Sequence, residues 1–197
     1  NRLDFSQLSK KQLKAKWYSF SSMMDSSFKA QVKLAKYVTS HGAKIAFNPS
    51  QYQVKEGVRV LKPLLDLTEI LLFNKQEAFI LTKTDDIFLA IKTLHTLGIK
   101  IVVITDGPHD LYCSDKKHIY SVRPPDCEVV EATGAGDAFS SAFVATYVQK
   151  KSVEDAIKAG LANSLSVLTH FGAKKNLLRS HQIEKHIAKY NITIKKR

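Results

Sequence analysis

From residue 28 onward, short apolar runs alternate with longer segments whose apolar residues recur at helical spacing. FKAQVKLAKYVTSHG carries Val32, Leu34, Ala35 and Val38 in such a pattern and ends at Gly42, a helix stop. AKIAFNPS follows as a short buried strand closed by Pro49. VRVLKPLLDL reads as a helix despite Pro63, and TEILLFN as a strand. KQEAFILTK and DDIFLAIKTLHTLG read as two helices, the second closed by Gly98. IKIVVITDG is an unbroken β-branched run of the kind found in parallel strands buried on both faces. DLYCSD and KHIYSVRP predict a hairpin. DAFSSAFVATYVQKK and SVEDAIKAGLANSLSVLTHFG predict two apolar helices, and SHQIEKHIAKY a last one. The alternation predicts an α/β fold, a doubly wound and mostly parallel sheet with helices on both faces. In such sheets ligands bind beyond the carboxyl ends of the strands, where loops become helix N-termini.

The chain has 197 residues, 44% of them hydrophobic, which suits one well-cored domain. Residues 1–197 are expected to form that domain, with 1–27 as a linking helix and strand and 174–197 as a basic C-terminal helix and tail. No stretch approaches the roughly 18 uninterrupted apolar residues of a membrane span. NRLDFSQLSK has neither an initiating Met nor an apolar signal region and reads as a cut end. Cys113 and Cys127 form no CxxC pair and the seven histidines are scattered, so neither a disulfide framework nor a zinc site is expected, and a reducing cytoplasm is the expected setting.

The formal net charge is +12, and all of the excess lies at the two ends. Residues 1–44 hold nine Lys and Arg against two acids, and residues 174–197 hold eight against one. KKQLKAKWYSF and ITIKKR could track phosphates, but they read better as solvated helix faces and a frayed tail, so nucleic acid is not the expected partner. Trp17, Tyr18 and Phe20 read as core residues rather than base-stacking platforms.

EVVEATGAGDAF, residues 128–139, is the stretch with the most chemistry in it. Gly134 and Gly136 permit backbone angles closed to other residues and leave room for a ligand against the main chain. A helix starting near Asp137 would leave the amides of residues 134–137 as unpaired donors at the positive end of a helix dipole, a ready anion site. Asp137 then stands beside that site; as an ordinary N-cap it would instead bond the next turn's amides. No GK[ST] follows and GxGxxG is absent, which excludes a Walker loop and a dinucleotide fingerprint.

The run Thr133-Gly134-Ala135-Gly136-Asp137-Ala138-Phe139, after a hairpin and before a long apolar helix, closely resembles the C-terminal motif of the PfkB/ribokinase family of carbohydrate kinases. Asn74-Lys75-Gln76-Glu77 after a strand resembles the family's NxxE motif, and Thr105-Asp106-Gly107 its TxG. AIKAGLANSLSVLTHFGA resembles its adenine-side helix and the following loop. The resemblance spans roughly residues 28–190. It implies a transfer of the γ-phosphate of ATP to an alcohol of a sugar or sugar acid. Asp137 would be the base, and the amides of Gly134, Ala135 and Gly136 the donors to the passing phosphoryl group. It further implies that Asn74 and Glu77 hold phosphate oxygens and magnesium through water. The same two residues also read as an N-cap and the glutamate of a capping box. Thr105, Gly107 and Asp110 match the family's nucleotide-contacting loop, although Asp110 stands where the family has a glycine; Asp106 and His109 also read as ordinary turn residues.

Two departures from the family pattern bear on cofactors. Glu131 stands where the family has an aspartate that helps ligate a monovalent cation with the loop that here reads Thr169-His170-Phe171-Gly172, which puts potassium activation in doubt. On the adenine-side helix the family's frequent Asn aligns with Leu161, while Asn163 lies two residues on, about 200° around the helix. Asn163 is therefore expected to face elsewhere, leaving the base to apolar packing by Leu161 and Val167. Residues 1–27 resemble neither the family's glycine-pair sugar motif nor its β lid, so the chain is expected to be the C-terminal portion of a longer kinase that dimerises through that lid. NPSQY at 48–52 favours a sugar over a nucleoside acceptor. A nucleoside kinase and a catalytically silent binding module are the alternatives.

Overall fold

The structure, a computed structural model, describes residues 3–149 and 151–197. Asn1 and Arg2 of the expected linking segment, and Lys150 of the expected helix DAFSSAFVATYVQKK, lie outside the described residues. The chain divides into two compact units, one ending at Ile104 and the other beginning at Thr105.

The first unit opens with two short 3-10 turns, Phe5–Gln7 and Lys10–Gln12, and then alternates strand and helix. Its elements are β1 (Trp17–Ser21), α1 (Asp25–Ser40), β2 (Lys44–Asn48), α2 (Gln51–Lys55), α3 (Gly57–Leu65), β3 (Thr68–Asn74), α4 (Lys75–Thr82), α5 (Ile87–Thr96) and β4 (Ile101–Thr105), whose last residue opens the second unit. β1 to β4 are sheet neighbours in that order. β1 pairs parallel with β2, Tyr18 against Ile45 and Phe20 against Phe47, and β2 pairs parallel with β3. Successive residues of a strand point to opposite faces, yet Ile45, Ala46 and Phe47 are all buried, as are Ile70–Phe73 and Ile101–Ile104. Both faces of this sheet are therefore covered, which is what the unbroken apolar runs require. Phe20 is buried on β1, with Trp17 and Tyr18 half-buried beside it.

Local chemistry sets the helix ends. Asp86 caps α5 by accepting the amides of Phe88 and Leu89, both at 2.8 Å. α1 and α5 stop just before Gly42 and Gly98 as the sequence predicts. Pro63 lies within α3 and does not break it. The five-residue α2, with Ser50 at its N-cap, was not expected from sequence.

The second unit begins with a hairpin of β5 (Leu111–Ser114) and β6 (Ile119–Val122), paired antiparallel. Asp115 closes its turn, accepting the amides of Lys117 at 3.0 Å and His118 at 2.7 Å and the Tyr120 hydroxyl at 3.1 Å. Then come α6 (Ala135–Tyr147), α7 (Val153–Leu168), α8 (Ser180–Ile187) and β7 (Lys195–Lys196). α7 opens with a capping box in which Ser152 and Asp155 exchange bonds at 3.0 and 3.2 Å. α6 and α7 pack closely where Gly160 meets the ring of Phe139; a Cβ at 160 would lie 2.7 Å from that ring.

The expected frayed tail is corrected by β7. Lys195 and Lys196 pair antiparallel with Ser121 and Tyr120, and Arg197 and Ile119 exchange backbone bonds at 3.0 Å. The Lys196 ammonium lies 5.4 Å above the Tyr120 ring and 3.7 Å from Glu154. The backbone of the tail is thus held by a strand edge, and the Lys196 side chain with it. With eight α-helices and a mixed sheet among the described residues, the chain is α/β and mostly parallel in its first unit, in agreement with the sequence. No helix is long and apolar enough to cross a membrane among these residues.

Candidate active site

The glycine stretch enters α6 in the second unit. Gly134 adopts φ 83° and ψ −4°, in the left-handed region, and serves as N-cap, so the helix begins at Ala135. The expected start near Asp137 is thus corrected by two residues, and Asp137 is the third residue of the first turn, not a cap. The cause is steric as well as conformational: a Cβ on Gly134 would lie 2.5 Å from the Ala173 carbonyl oxygen and 2.8 Å from its Cα. Only glycine fits this turn.

The helical ladder opens with the Ala138 amide donating to the Gly134 carbonyl at 2.8 Å. The amides of Gly136 and Asp137 precede that first bond, at the positive end of the helix. The Ala135 amide donates to the Ala132 carbonyl at 3.2 Å, so this one of the expected donors is already engaged. Gly136 is exposed, and a Cβ there would meet nothing within 4 Å. Asp137 is exposed beside it.

Gly136 lies in the wall of a cavity of about 440 Å³ built wholly from the second unit. Thr105, Asp106, Gly107 and Pro108 line part of it, in a turn that the His109 amide closes on the Asp106 carbonyl at 2.9 Å. Leu161, Leu165 and Leu168 of α7 line the apolar part together with Phe139. The cavity therefore combines an apolar wall with main chain at a helix N-terminus. That combination suits a ligand with a flat apolar end and an anionic end, and an adenine nucleotide has both.

Gly134 and Asp137 flank this wall without lining it, and Asp110, Val167 and Asn163 also lie off it. Asp110 is half-exposed and sits 3.9 Å from Arg123. Val167 is fully buried in the core. Asn163 is 4% exposed and faces away from Leu161's side of the helix, as the helical turn predicts. Its Nδ2 donates to the Ala138 carbonyl at 2.8 Å and its Oδ1 accepts the Leu178 amide at 2.9 Å. Both ends of this carboxamide are engaged inside the fold, so Asn163, grouped from sequence with the nucleotide-side residues but expected to face elsewhere, is a brace between α7, the first turn of α6 and the segment before α8. Asn163→Ala leaves a buried carbonyl and a buried amide short of a partner and is expected to lower stability by about 1–3 kcal/mol, read by chemical denaturation.

Leu165 and Leu168 were not expected from sequence, and Phe139 and Pro108 stood in the matched motifs without a role of their own. Leu161, Leu165 and Leu168 recur at i, i+4 and i+7, so the stripe was visible, but such a stripe reads equally as core.

Glu131 Oε2 accepts the Gly172 amide at 2.7 Å. That amide, followed by the Thr133 hydroxyl, holds the Glu131 carboxyl below its usual range. The Val130 and Glu131 amides both donate to the Leu168 carbonyl, at 2.8 and 3.3 Å.

In the first unit, Asn74 and Glu77 form a complete capping box at the start of α4. Asn74 Oδ1 accepts the Glu77 amide at 2.8 Å, and Glu77 Oε2 accepts the Asn74 amide at 2.9 Å. Burial raises the Glu77 carboxyl pKa, opposed by the bonds from Asn74 and the Gln51 amide. No cluster of three or more His, Cys, Asp or Glu stands ready for a metal among the described residues.

Comparison with known proteins decides the family. Residues 3–179 match the pattern of the pfkB family carbohydrate kinases. The chain belongs to that family. Among curated pfkB relatives, the cytidine kinase of Thermococcus kodakarensis is 30% identical over 147 residues, covering 72% of this chain and 52% of the relative. The ribokinase of Haemophilus influenzae is 30% identical over 148 residues, covering 73% and 47%. This pfkB chain spans about half the length of the curated relatives it matches. Its fold is that of an E. coli protein assigned as a ribokinase II and solved in complex with ATP and magnesium. The TM-score is 0.86 at 22% identity, over 95% of this chain and 64% of that one.

Proposed function

We propose that this chain handles the nucleotide in an ATP-dependent kinase that phosphorylates an alcohol group of a sugar or sugar acid. The observation that carries the reading is the cavity at the N-terminus of α6, where Gly136 opens main chain to a ligand; Asp137 is the next residue, exposed and just outside the lining. The amides of Gly136 and Asp137, with Gly134 shaping the turn, donate to the phosphoryl oxygens on which charge builds in the transition state. Asp137 accepts the proton of the attacking hydroxyl. An exposed carboxylate can do this because the proton departs as the new P–O bond forms. The adenine end packs on Leu161, Leu165 and Phe139, and Thr105 and Gly107 border it. In this reading the protein works in the cytoplasm, and dimerisation through a lid belongs to it as well.

Magnesium, when bound, screens the phosphate charge. The cap bonds engage the one side-chain oxygen of Asn74 and Oε2 of Glu77, so what these residues would offer a hydrated magnesium is chiefly Glu77 Oε1. Glu77→Gln keeps the capping box. It is expected to leave the melting temperature within about 2 °C of wild type and to raise the magnesium needed for half-maximal rate, whereas Glu77→Ala costs about 1 kcal/mol of stability. Thermal unfolding and a magnesium titration of the rate separate the two roles.

The acceptor is tested by ADP release from the complete protein against a panel of sugars, sugar acids and nucleosides. Phosphorylation of a sugar or sugar acid in preference to nucleosides supports the reading. The 30% identity to a cytidine kinase makes a nucleoside acceptor the second reading, and preference for cytidine would establish it.

A further inference from the structure

The segment that delivers the anion site is fastened to the end of α7 and the loop after it at three residues, 130, 131 and 134. Val130 and Glu131 bond the Leu168 carbonyl through their amides, and Gly134 lies directly against Ala173. Between these two contacts, Glu131 Oε2 accepts the Gly172 amide at 2.7 Å, a side-chain bond across 41 residues of sequence. Ala135 adds a bond to Ala132. The Gly136 and Asp137 amides point along α6, and the left-handed turn at Gly134 from which α6 departs lies against Ala173.

We propose that Glu131 is a positioning residue for phosphoryl transfer, a carboxylate latch that holds the 168–173 loop against residues 130–134 and so fixes the α6 amides in their working orientation. This rests on the phosphoryl-transfer reading of the same site. A hydrogen-bond acceptor is what the latch needs, so glutamine can replace glutamate at this position while alanine cannot. The bond is at the surface, and its loss changes geometry more than global stability. A displacement of about 1 Å at reacting groups can cost about a hundredfold in rate.

The test compares Glu131→Ala and Glu131→Gln in the complete protein by two readouts. The first is amide hydrogen exchange of the unliganded protein over residues 128–137 and 168–174, which needs no kinase activity. Exchange in both segments is expected to quicken at least about tenfold in E131A and to stay at the wild-type rate in E131Q. The second is steady-state kinetics with ATP and the acceptor found by the panel: kcat is expected to fall about tenfold to a hundredfold in E131A, with most of it restored in E131Q and the melting temperature unchanged within about 2 °C. Unchanged exchange in E131A, or an E131Q variant as impaired as E131A, overturns the latch. A wild-type protein that transfers no phosphate, yet shows the exchange pattern, overturns the kinase reading and leaves the latch standing as a fold element.

Discussion

Alanine at Gly134 and alanine at Gly136, two residues apart in one turn, are expected to move stability in opposite directions while both suppress catalysis. At Gly134 the left-handed backbone costs a non-glycine residue about 1–2 kcal/mol. The added methyl would also meet the Ala173 backbone at 2.5 Å, which cannot swing aside as a flexible side chain would. Together these are expected to lower stability by about 2–4 kcal/mol, or roughly 5–15 °C in melting temperature for a chain of this size. At Gly136 the backbone is helical and the space beyond the Cα is open. Alanine there gains up to about 1 kcal/mol of helix stability but projects a methyl into the wall where phosphate would approach. Gly136→Ala should therefore melt at or above the wild-type temperature and lose more than about tenfold in rate, because the methyl holds the phosphate away from amides whose contact lowers the barrier. A stable, fully active Gly136→Ala would contradict the role given to this turn.

The second large effect is at Asp137. Asp137→Asn preserves the side chain's shape and removes its ability to take a proton. General base catalysis contributes typically about 10²–10⁴-fold, so kcat is expected to fall by that factor. The carboxylate also lies in the first turn of α6, where a negative charge is favourable by about 0.3–1 kcal/mol. The variant should melt only a few degrees lower, and its affinity for ATP should stay near wild type, since the donors to phosphate are main-chain amides.

Much of the architecture was legible because the strands of the first unit are buried on both faces. Ile101–Ile104 and Ile70–Phe73 read as strands from their apolar runs alone, and Gly98 closes α5 by a local rule. Elements that depend on distant partners were not legible. β7 is two lysines that become a strand only by pairing with Ser121 and Tyr120, and α2 is a five-residue turn of helix confined between Pro49 and Gly57. In the site, the glycine stretch announced an anion-binding helix start, but the residue at which the helix starts depends on Ala173, which only the fold places against Gly134. Helical geometry told that Asn163 and Leu161 diverge; that Asn163 reaches the Ala138 carbonyl, 25 residues away, follows from how α6 and α7 pack around Gly160. The capping box at Asn74 and Glu77 was visible as a pattern and is present as bonds.

The central claim is that the turn at the head of α6 grips a moving phosphoryl group while the adjacent carboxylate takes the alcohol's proton. Single-turnover transfer from ATP by the Asp137→Asn protein, with nucleotide affinity measured on the same sample, tests it most directly. The expected result is a chemical step slowed at least about a hundredfold at unchanged ATP affinity. A wild-type transfer rate in that variant would contradict it.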